Sequence, residues 1–385
     1  MSTLSPGPRP GAAKTAPGAP SIDLLVVGTG LIGLSAALRL ADRGLRISLI
    51  GDSRPGTASI AAAGILGPSL EDTSGPMADP RVHAFSLASR DRYPGFLDGL
   101  AARTSLEIAI NRLGILEVAH DAEREQTLKR SRQGKWLGAE EVARVEPALR
   151  PVAGAMYYES DGSVDNIALM HALDFAVEAE PLIARIDARV TSIAVAPAKN
   201  VTVTVSDGST YSAPQLVLAA GCWVGLIDGL PRPLPVEPLR GQVISVERSP
   251  VRTLSPTHVV YGAGGYIVPR ANRVLVGATL ERAGFEAVTT EAGVGELRKI
   301  GEALWKPIPT TAIAASWAGL RPVTPDMLPI LGRDSVCHSL IYACGHSRNG
   351  ILMAPLTADC VAAIAVGDDP PADISPFRAD RFEAA

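Results

Sequence analysis

Cysteine is scarce in this chain, and the spacing of the few cysteines excludes two common roles. The 385 residues include four, at Cys222, Cys337, Cys344 and Cys360. They form no C-x-x-C pair and no cysteine–histidine spacing of the kind that binds zinc, so the sequence indicates neither a zinc site nor a disulfide framework. Scattered cysteines of this kind are typical of reduced thiols, and we therefore expect a cytoplasmic protein.

An excess of positive charge is also absent. The chain has 36 lysines and arginines against 40 aspartates and glutamates, which gives a formal net charge of -4 at pH 7. No basic cluster stands out along the sequence. Nucleic acid and anionic membrane are therefore not expected as partners.

Apolar runs long enough to span a membrane are lacking as well. Residues 24–40 are apolar, but their glycines mark a strand followed by a helix. Residues 351–366 are shorter than a membrane span and include Asp359, so we expect a buried helix there. Residues 1–20 are rich in Pro, Gly, Ala and Ser and lack the apolar core of a signal peptide, so we expect a disordered tail.

A glycine-rich segment near the front of the chain is its most informative feature. An apolar strand, the pattern G-x-G-x-x-G (Gly28, Gly30 and Gly33), an apolar helix and a second strand follow one another between residues 23 and 50. We place the helix at about 34–43. This order of elements distinguishes a dinucleotide-binding fingerprint from a chance set of glycines.

The positions of these glycines match the needs of a bound dinucleotide. Gly28 permits a tight turn, Gly30 lets the backbone approach a pyrophosphate, and Gly33 lets helix and strand pack closely. Leu31 and Ile32 complete the predicted contact, and the helix N-terminus offers N–H groups and the positive end of its dipole to the phosphates. The alternative is a glycine-rich turn in another α/β fold.

The residue that binds the adenosine ribose departs from the usual pattern. An acidic side chain is expected about 20 residues past the glycines, at the end of the second strand. The sequence there is Ile50-Gly51-Asp52-Ser53, and Asp52 is the available carboxylate. We assign the ribose to Asp52, with the alternative that Asp52 only begins the turn that follows.

Seven segments of the chain occur in the order seen in one known family. They are the glycine fingerprint, Ala61–Gly64, Ala219–Trp223, Pro238–Gln242, Tyr266–Arg270, Trp317–Pro322 and Gly345–Leu352. With these segments the chain resembles, from about residue 22 to the C-terminus, the FAD-dependent D-amino-acid oxidase superfamily. Within that superfamily it is most similar to the glycine oxidases of thiamine biosynthesis.

The resemblance implies an α/β fold of the p-hydroxybenzoate-hydroxylase type with two domains. A Rossmann-like FAD-binding domain is expected to be discontinuous, and a second domain with an antiparallel sheet is expected to bind the substrate. The FAD-binding domain would take residues 21–105, 185–228 and 320–385, and the substrate domain would take 106–184 and 229–319. No cysteine lies where sarcosine oxidases attach flavin, so the FAD is expected to be noncovalent.

The resemblance also assigns residues to the cofactor. Ala62, Ala63, Gly64 and Ile65 would pass beside the flavin. Val190 would contact the adenine side through its backbone, and Trp223 would pack near the cofactor. The pyrimidine edge of the flavin would be lined by the loop that leads into the last helix, through His346, Arg348, Asn349, Gly350 and Ile351.

Three side chains are the expected catalytic residues. Arg321 would bind the substrate carboxylate, since a planar guanidinium can form two parallel charge-assisted bonds with it. Tyr266 would donate its hydroxyl to the same carboxylate, and Arg348 would lie at the mouth or the back of the site. Without the resemblance, Arg321 would be interpreted as a salt-bridge residue, Tyr266 as a strand aromatic and Arg348 as a brace for its loop.

The implied reaction is oxidation of glycine, and of sarcosine or small D-amino acids if the site admits them. Hydride transfer to flavin N5 would give an imine, which water hydrolyses to glyoxylate and ammonia, and oxygen would then yield hydrogen peroxide. One alternative is a dehydrogenase similar to the hydrogen cyanide synthase subunits, which passes electrons to a partner. Another is a flavoprotein subunit without catalysis. The family includes tetramers, so a homo-oligomer is one state that the sequence allows.

Overall fold

The computed structural model describes residues 21–71, 79–130, 134–195, 200–249, 251, 254–306 and 313–383. The disordered tail predicted at 1–20 lies outside the described residues. The helices are α1 Leu31–Ala41, α2 Ala58–Ala61, α3 Pro80–Asp91, α4 Tyr93–Thr104, α5 Ala122–Lys129, α6 Ala139–Val145, α7 Asn166–Ala179, α8 Glu291–Leu304 and α9 Gly350–Val366. The strands are β1 Leu24–Val27, β2 Ile47–Ile50, β3 Ile65–Leu66, β4 Ile110–Asn111, β5 Ile115–Ala119, β6 Lys135–Gly138, β7 Gly154–Tyr158, β8 Gly162–Val164, β9 Ile183–Ile186, β10 Val190–Val195, β11 Val201–Val205, β12 Thr210–Ala213, β13 Gln215–Leu218, β14 Glu237–Glu247, β15 Val259–Gly262, β16 Gly265–Pro269, β17 Arg273–Gly277, β18 Ile313–Val323, β19 Ile330–Arg333 and β20 Leu340–Cys344.

A six-stranded, mostly parallel sheet forms the first half of the molecule. Its strand order is β19-β20-β13-β1-β2-β9, and β1 pairs in parallel with both β2 and β13. Every residue of β1 and β2 is buried, as expected for strands covered on both faces. Helices α1, α7 and α9 pack together on one face. The small sheet β10-β11-β12 contributes to the core on the other face.

An eight-stranded sheet forms the second half. Its order is β18-β14-β17-β16-β15-β5-β7-β6, and all neighbours are antiparallel except β15 and β5. The long strands β14 and β18 pair over most of their length, from Glu237 opposite Val323 to Val246 opposite Ile313. Helix α8 covers the strands on one side and adds apolar residues to a separate core.

The two sheets confirm the predicted α/β class with a parallel sheet and an antiparallel sheet. The domain boundaries at 184/185 and 319/320 stay a prediction. Strand β9 spans the first of these boundaries and pairs with β2, while β18 spans the second and pairs with β14. No helix in the described part of the chain combines the length and apolar character needed to cross a lipid bilayer.

Helix α1 begins three residues earlier than the sequence indicated. The N–H of Leu34 donates to the carbonyl of Gly30 at 3.0 Å, so Gly33 lies in the first turn and not before it. A Cβ on Gly33 would lie 1.9 Å from the carbonyl oxygen of Gly28. The close packing predicted for Gly33 is therefore present, and it is an internal contact of the turn.

We expect Gly33→Ala to lower the free energy of unfolding by about 3 kcal/mol, since the new methyl group overlaps a backbone oxygen that cannot rotate away. The matched control is Gly99→Ala in α4, where a Cβ meets nothing within 4 Å. That substitution should raise the free energy of unfolding by up to about 1 kcal/mol, because alanine favours a helix over glycine. Urea unfolding followed by circular dichroism measures both. Equal stability of the two variants would contradict the packing role of Gly33.

Candidate active site

A cavity of about 1450 Å³ extends between the two large sheets. Its walls contain the predicted residues from both ends of the chain. The predicted site residues on its walls are Gly28, Gly30, Leu31, Ile32, Asp52, Ala62, Ala63, Gly64, Ile65, Val190, Trp223, Tyr266, Arg321, His346, Arg348, Asn349, Gly350 and Ile351. Gly33 is not among the lining residues, which agrees with its internal contact.

The turn after β1 leaves a helix N-terminus open to this cavity. Gly28 has a φ of 117°, and a Cβ there would lie 2.3 Å from the carbonyl oxygen of Ala219, so only glycine fits. Gly30 is the N-cap of α1 and offers no side chain, while the hydroxyl of Ser59 accepts from the N–H of Leu31 at 3.0 Å. The remaining first-turn N–H groups and the positive dipole end suit an anionic diphosphate.

Asp52 lies on the wall next to this helix terminus and is paired with two arginines. Arg54 Nε donates to one carboxylate oxygen at 2.8 Å, and Arg189 Nε donates to the other at 3.0 Å. Partial burial raises the pKa of Asp52, but the hydrogen bonds and charges of the two arginines outweigh burial and leave the pKa below its usual value. The carboxylate stays ionised, and each oxygen keeps a lone pair for a further donor such as a ribose hydroxyl.

Thr29 lies on the same wall but was not predicted from the sequence. A Cβ on Gly51, the residue before Asp52, would lie 2.9 Å from the methyl carbon of Thr29 and 3.0 Å from its hydroxyl. Thr29 therefore fills the space that a side chain at residue 51 would need. With Thr29 in this conformation, residue 51 has room only for glycine.

Side chains from distant parts of the chain hold the backbone of residues 59–61 at the middle of the cavity. Asn166 Nδ2 donates to the carbonyls of Ser59 at 2.9 Å and Ile60 at 3.1 Å. Trp317 Nε1 donates to the carbonyl of Ala61 at 3.0 Å. Since Asn166 begins α7 and Trp317 lies in β18, elements from both halves of the molecule fix this segment.

Besides the first-turn N–H groups of α1, the cavity wall carries two adjacent backbone donors that have no acceptor among the described residues. They are the N–H groups of Ala63 and Gly64, both buried. A buried donor without an acceptor is costly, so such groups indicate a place for a ligand with hydrogen-bond acceptors. The open helix terminus and these donors fit the phosphates and the polar ring of the expected FAD, which the same residues were predicted to bind.

Arg321 and Tyr266 lie at one end of the cavity in space that two glycines leave open. A Cβ on Gly241 of β14 would lie 2.1 Å from Arg321 Nη1, and a Cβ on Gly277 of β17 would lie 2.4 Å from the Tyr266 hydroxyl. Burial raises the pKa of Tyr266, although the nearby Arg321 acts in the opposite direction. The phenol therefore stays protonated at neutral pH and can donate a hydrogen bond.

A polar network formed by β14 and the residues after β17 holds Arg321 in place. Arg321 Nη1 donates to the carbonyl of Thr279 at 3.2 Å, and the Thr279 hydroxyl accepts from the N–H of Gln242 at 2.9 Å. Gln242 Nε2 donates to Glu281 at 2.7 Å, and Arg240 donates to the other oxygen of Glu281 at 2.6 Å. The segment Pro238–Gln242 signalled part of this network in the sequence, whereas nothing signalled Thr279.

The loop before α9 connects the segment that carries Arg321 to a second helix N-terminus. The N–H of Ser347 donates to the carbonyl of Pro322, one residue past Arg321, at 3.0 Å. Helix α9 begins at Gly350, and the side chain of its N-cap Asn349 does not cap it. The positive end of α9 therefore faces the cavity next to Arg348.

His346 in this loop is buried and faces Thr357 of α9. Its Nε2 lies 3.2 Å from the Thr357 hydroxyl. Burial lowers the pKa of His346 to about 4, so the imidazole is neutral at neutral pH.

The buried imidazole of His346 should make the stability of the protein depend on pH. A histidine with its ordinary pKa of 6.5 in the unfolded chain takes up a proton before the folded protein does. The unfolded state then binds more protons, so the free energy of unfolding falls as the pH is lowered from 6.5 to 4 and is unaffected above 6.5. We expect the unaltered protein to lose about 3 kcal/mol more than His346→Gln between pH 7 and pH 4. Urea unfolding across this range tests it, and parallel pH profiles would contradict it.

Comparison with known proteins shows the family. A model of the FAD dependent oxidoreductase family matches residues 23–364. A glycine oxidase from Geobacillus kaustophilus is 34% identical over 375 residues, which cover 93% of this chain and 97% of that protein. The crystal structure of glycine oxidase from that species matches with a TM-score of 0.85 at 32% identity, covering 93% of this chain and 98% of that one.

Two further relatives differ in what their names describe. The bifunctional protein ThiO/ThiG of Synechocystis sp. is 35% identical over 369 residues, which cover 94% of this chain but 54% of that protein. The chain thus spans about half the length of the ThiO/ThiG proteins that it matches. Hydrogen cyanide synthase subunit HcnC of Pseudomonas aeruginosa is 29% identical over 415 residues, covering 94% of this chain and 96% of that protein.

These matches confirm the family and the cofactor that the glycine fingerprint and the six later segments predicted. The individual roles of the site residues stay predictions, although the fold brings all of them except Gly33 to one cavity. The chain belongs to the FAD-dependent oxidoreductase family, and its cofactor is FAD.

Proposed function

We propose that this enzyme oxidises a small amino acid, with glycine as the main substrate, to an imine that water hydrolyses to glyoxylate and ammonia. The observation that carries this proposal is the pair Tyr266 and Arg321 at one end of the FAD cavity. The relatives named glycine oxidase support the choice of glycine. Sarcosine and small D-amino acids are further candidates.

Arg321 binds the substrate carboxylate in this proposal. Its guanidinium donates to the carbonyl of Thr279 on one side, which fixes its plane while leaving N–H groups for a bidentate contact. The protonated hydroxyl of Tyr266 adds a donor to the same carboxylate. Ala63 and Gly64, which were predicted to lie beside the flavin, line the same cavity as Arg321 and Tyr266.

The chain supplies no base in the proposed mechanism. A substrate that enters with a neutral amine needs none, and the neutral, buried His346 is engaged with Thr357. FAD, bound noncovalently, supplies the two-electron acceptor for the hydride. The protein binds the carboxylate, orients the Cα–H bond and limits access of water while the hydride leaves.

Oxygen is the proposed electron acceptor, with hydrogen peroxide as the product. The similarity to HcnC makes a dehydrogenase that passes electrons to a partner the second candidate. The ThiO/ThiG relatives support a role for this reaction in thiamine biosynthesis. A cytoplasmic location and a homo-oligomeric state stay predictions.

The first test is anaerobic mixing of the FAD-loaded protein with glycine while the flavin absorption band is followed. We expect bleaching by glycine, recovery when air is readmitted, and one peroxide released per glyoxylate. Bleaching without recovery in air would contradict oxygen as the acceptor and favour the dehydrogenase. A flavin band that glycine and sarcosine both leave unchanged would contradict the substrate assignment.

A second test separates the carboxylate contact from the fold. Gly241→Ala should displace the Arg321 guanidinium, because its methyl group would occupy that position, and should raise KM for glycine about tenfold or more. Arg321→Met should raise KM further, since it removes the charged hydrogen bonds altogether. Gly295→Ala in α8, where a Cβ meets nothing within 4 Å, is the control and should leave KM unchanged. A KM in Gly241→Ala equal to that of the control would contradict the role of Arg321.

A further inference from the structure

Arg270 lies just past β16 and joins three segments that are far apart in the sequence. Its Nη2 donates to the carbonyls of Ala63 at 2.5 Å and Val164 at 3.0 Å. Its Nη1 donates to the Ser163 hydroxyl at 3.2 Å and to the carbonyl of Pro269 at 3.3 Å. Arg270 is not on the cavity wall, but Ala63 is.

The guanidinium of Arg270 is charged, and no carboxylate among the described residues lies within ion-pair distance of it. Within the described part of the chain, its acceptors are backbone carbonyls and one hydroxyl, and it takes part in no ion pair. Burial lowers the pKa of Arg270, and the charge of Asp165 acts weakly in the opposite direction. An arginine remains protonated at neutral pH even after such a shift, so the site holds a persistent buried positive charge.

The contact to Ala63 acts on the donor that faces the cavity. The carbonyl of Ala63 and the N–H of Gly64 belong to one peptide unit, which is planar and trans. These two groups point in opposite directions, so the N–H of Gly64 points away from Arg270. That N–H has no acceptor among the described residues. A charge-assisted bond to the oxygen polarises the whole unit and strengthens its N–H as a donor.

We propose that Arg270 is a positioning residue that tunes the bound FAD through the Ala63–Gly64 peptide, so that this peptide's N–H favours the electron-rich, reduced form of the flavin. The buried charge adds to the same effect, because a cation in a region of low dielectric favours added negative charge. Arg270 thereby raises the reduction potential of the cofactor without contacting it. The inference rests on the FAD cofactor and does not depend on which substrate the enzyme oxidises.

Two other donors to the same segment lack this property and serve as a comparison. Asn166 and Trp317 hold the carbonyls of residues 59–61 with neutral N–H groups. They fix the position of the backbone, but they bring no charge. A variant of Trp317 therefore shows how loss of one neutral hydrogen bond to this segment changes the reduction potential of the flavin.

The test measures the flavin reduction potential against a reference dye during anaerobic reduction, with no amino acid present. We expect Arg270→Gln to lower the ratio of reduced to oxidised flavin at a fixed dye potential about tenfold, which for a two-electron couple is about 30 mV. Arg270→Lys keeps a charged donor near the Ala63 carbonyl and should change that ratio less than threefold, while binding FAD more weakly because one ammonium group cannot reach all four acceptors of Arg270. Trp317→Phe is the control for loss of a hydrogen bond to the segment, and Arg273→Gln is the control for loss of an exposed positive charge. Neither should lower the ratio more than twofold.

The outcomes separate the proposal from a structural role. A potential unchanged in FAD-loaded Arg270→Gln overturns it, as does an equal fall in the lysine and glutamine variants, because that pattern would show loss of the tether alone. If Arg270→Gln does not retain FAD, the lysine variant decides, and a tenfold fall in its ratio overturns the proposal. Failure of glycine to reduce the flavin would affect the proposed substrate and leave this measurement intact.

Discussion

The backbone from Ser59 to Ile65 lies between the two large sheets, and its fixed position is the constraint on which the rest of the site depends. Its carbonyls accept hydrogen bonds from Asn166 on the side of the parallel sheet and from Trp317 and Arg270 on the side of the antiparallel sheet. A neutral hydrogen bond contributes about 1 kcal/mol and a charged one about 1.5–3 kcal/mol, so the charged contact of Arg270 is the strongest of these tethers. Both halves of the molecule must be folded before this segment has one conformation.

The charges around the cavity suit a cofactor and a substrate that are both anionic. Two helix N-termini, those of α1 and α9, meet its wall, and neither is capped by the side chain of its own N-cap residue. Arg321 and His346 both lie on the cavity wall, and His346 remains neutral because burial opposes its protonation. In the proposed function, a charged imidazole on this wall would compete with Arg321 for the substrate carboxylate, and the neutral His346 does not.

Space in the site is created by residues that lack side chains. Gly241 and Gly277 lie on neighbouring strands of the antiparallel sheet, and the side chains of Arg321 and Tyr266 occupy the room above them. Gly28 serves the same purpose for the turn before α1, where backbone lies against backbone. The sequence did not indicate why glycine is needed at Gly241 and Gly277. The reason is the side chain that packs over each glycine, and only the folded structure shows which side chain that is.

The sequence by itself determined the elements whose cause is local or whose pattern is shared across a family. The strand, glycine turn and helix between residues 23 and 44 follow from apolar patterning and from the requirements of a tight turn. The later segments placed Tyr266, Arg321 and the loop from His346 to Ile351, and the fold brings them to one cavity. The start of α1 at Leu31 was missed because local patterning does not show that Gly30 accepts the first helical hydrogen bond.

Only the tertiary structure decided the contacts between residues that are far apart along the chain. Thr29 against Gly51, Asn166 against Ser59, and Arg270 against Ala63 depend on how strands and helices from separate segments pack. The pairing of Asp52 with Arg189 is of the same kind, because it joins the end of β2 to the region before β10. A hydrogen bond of this type acts over about 3 Å in space and has no fixed separation in sequence, so periodicity and motif spacing carry no signal of it.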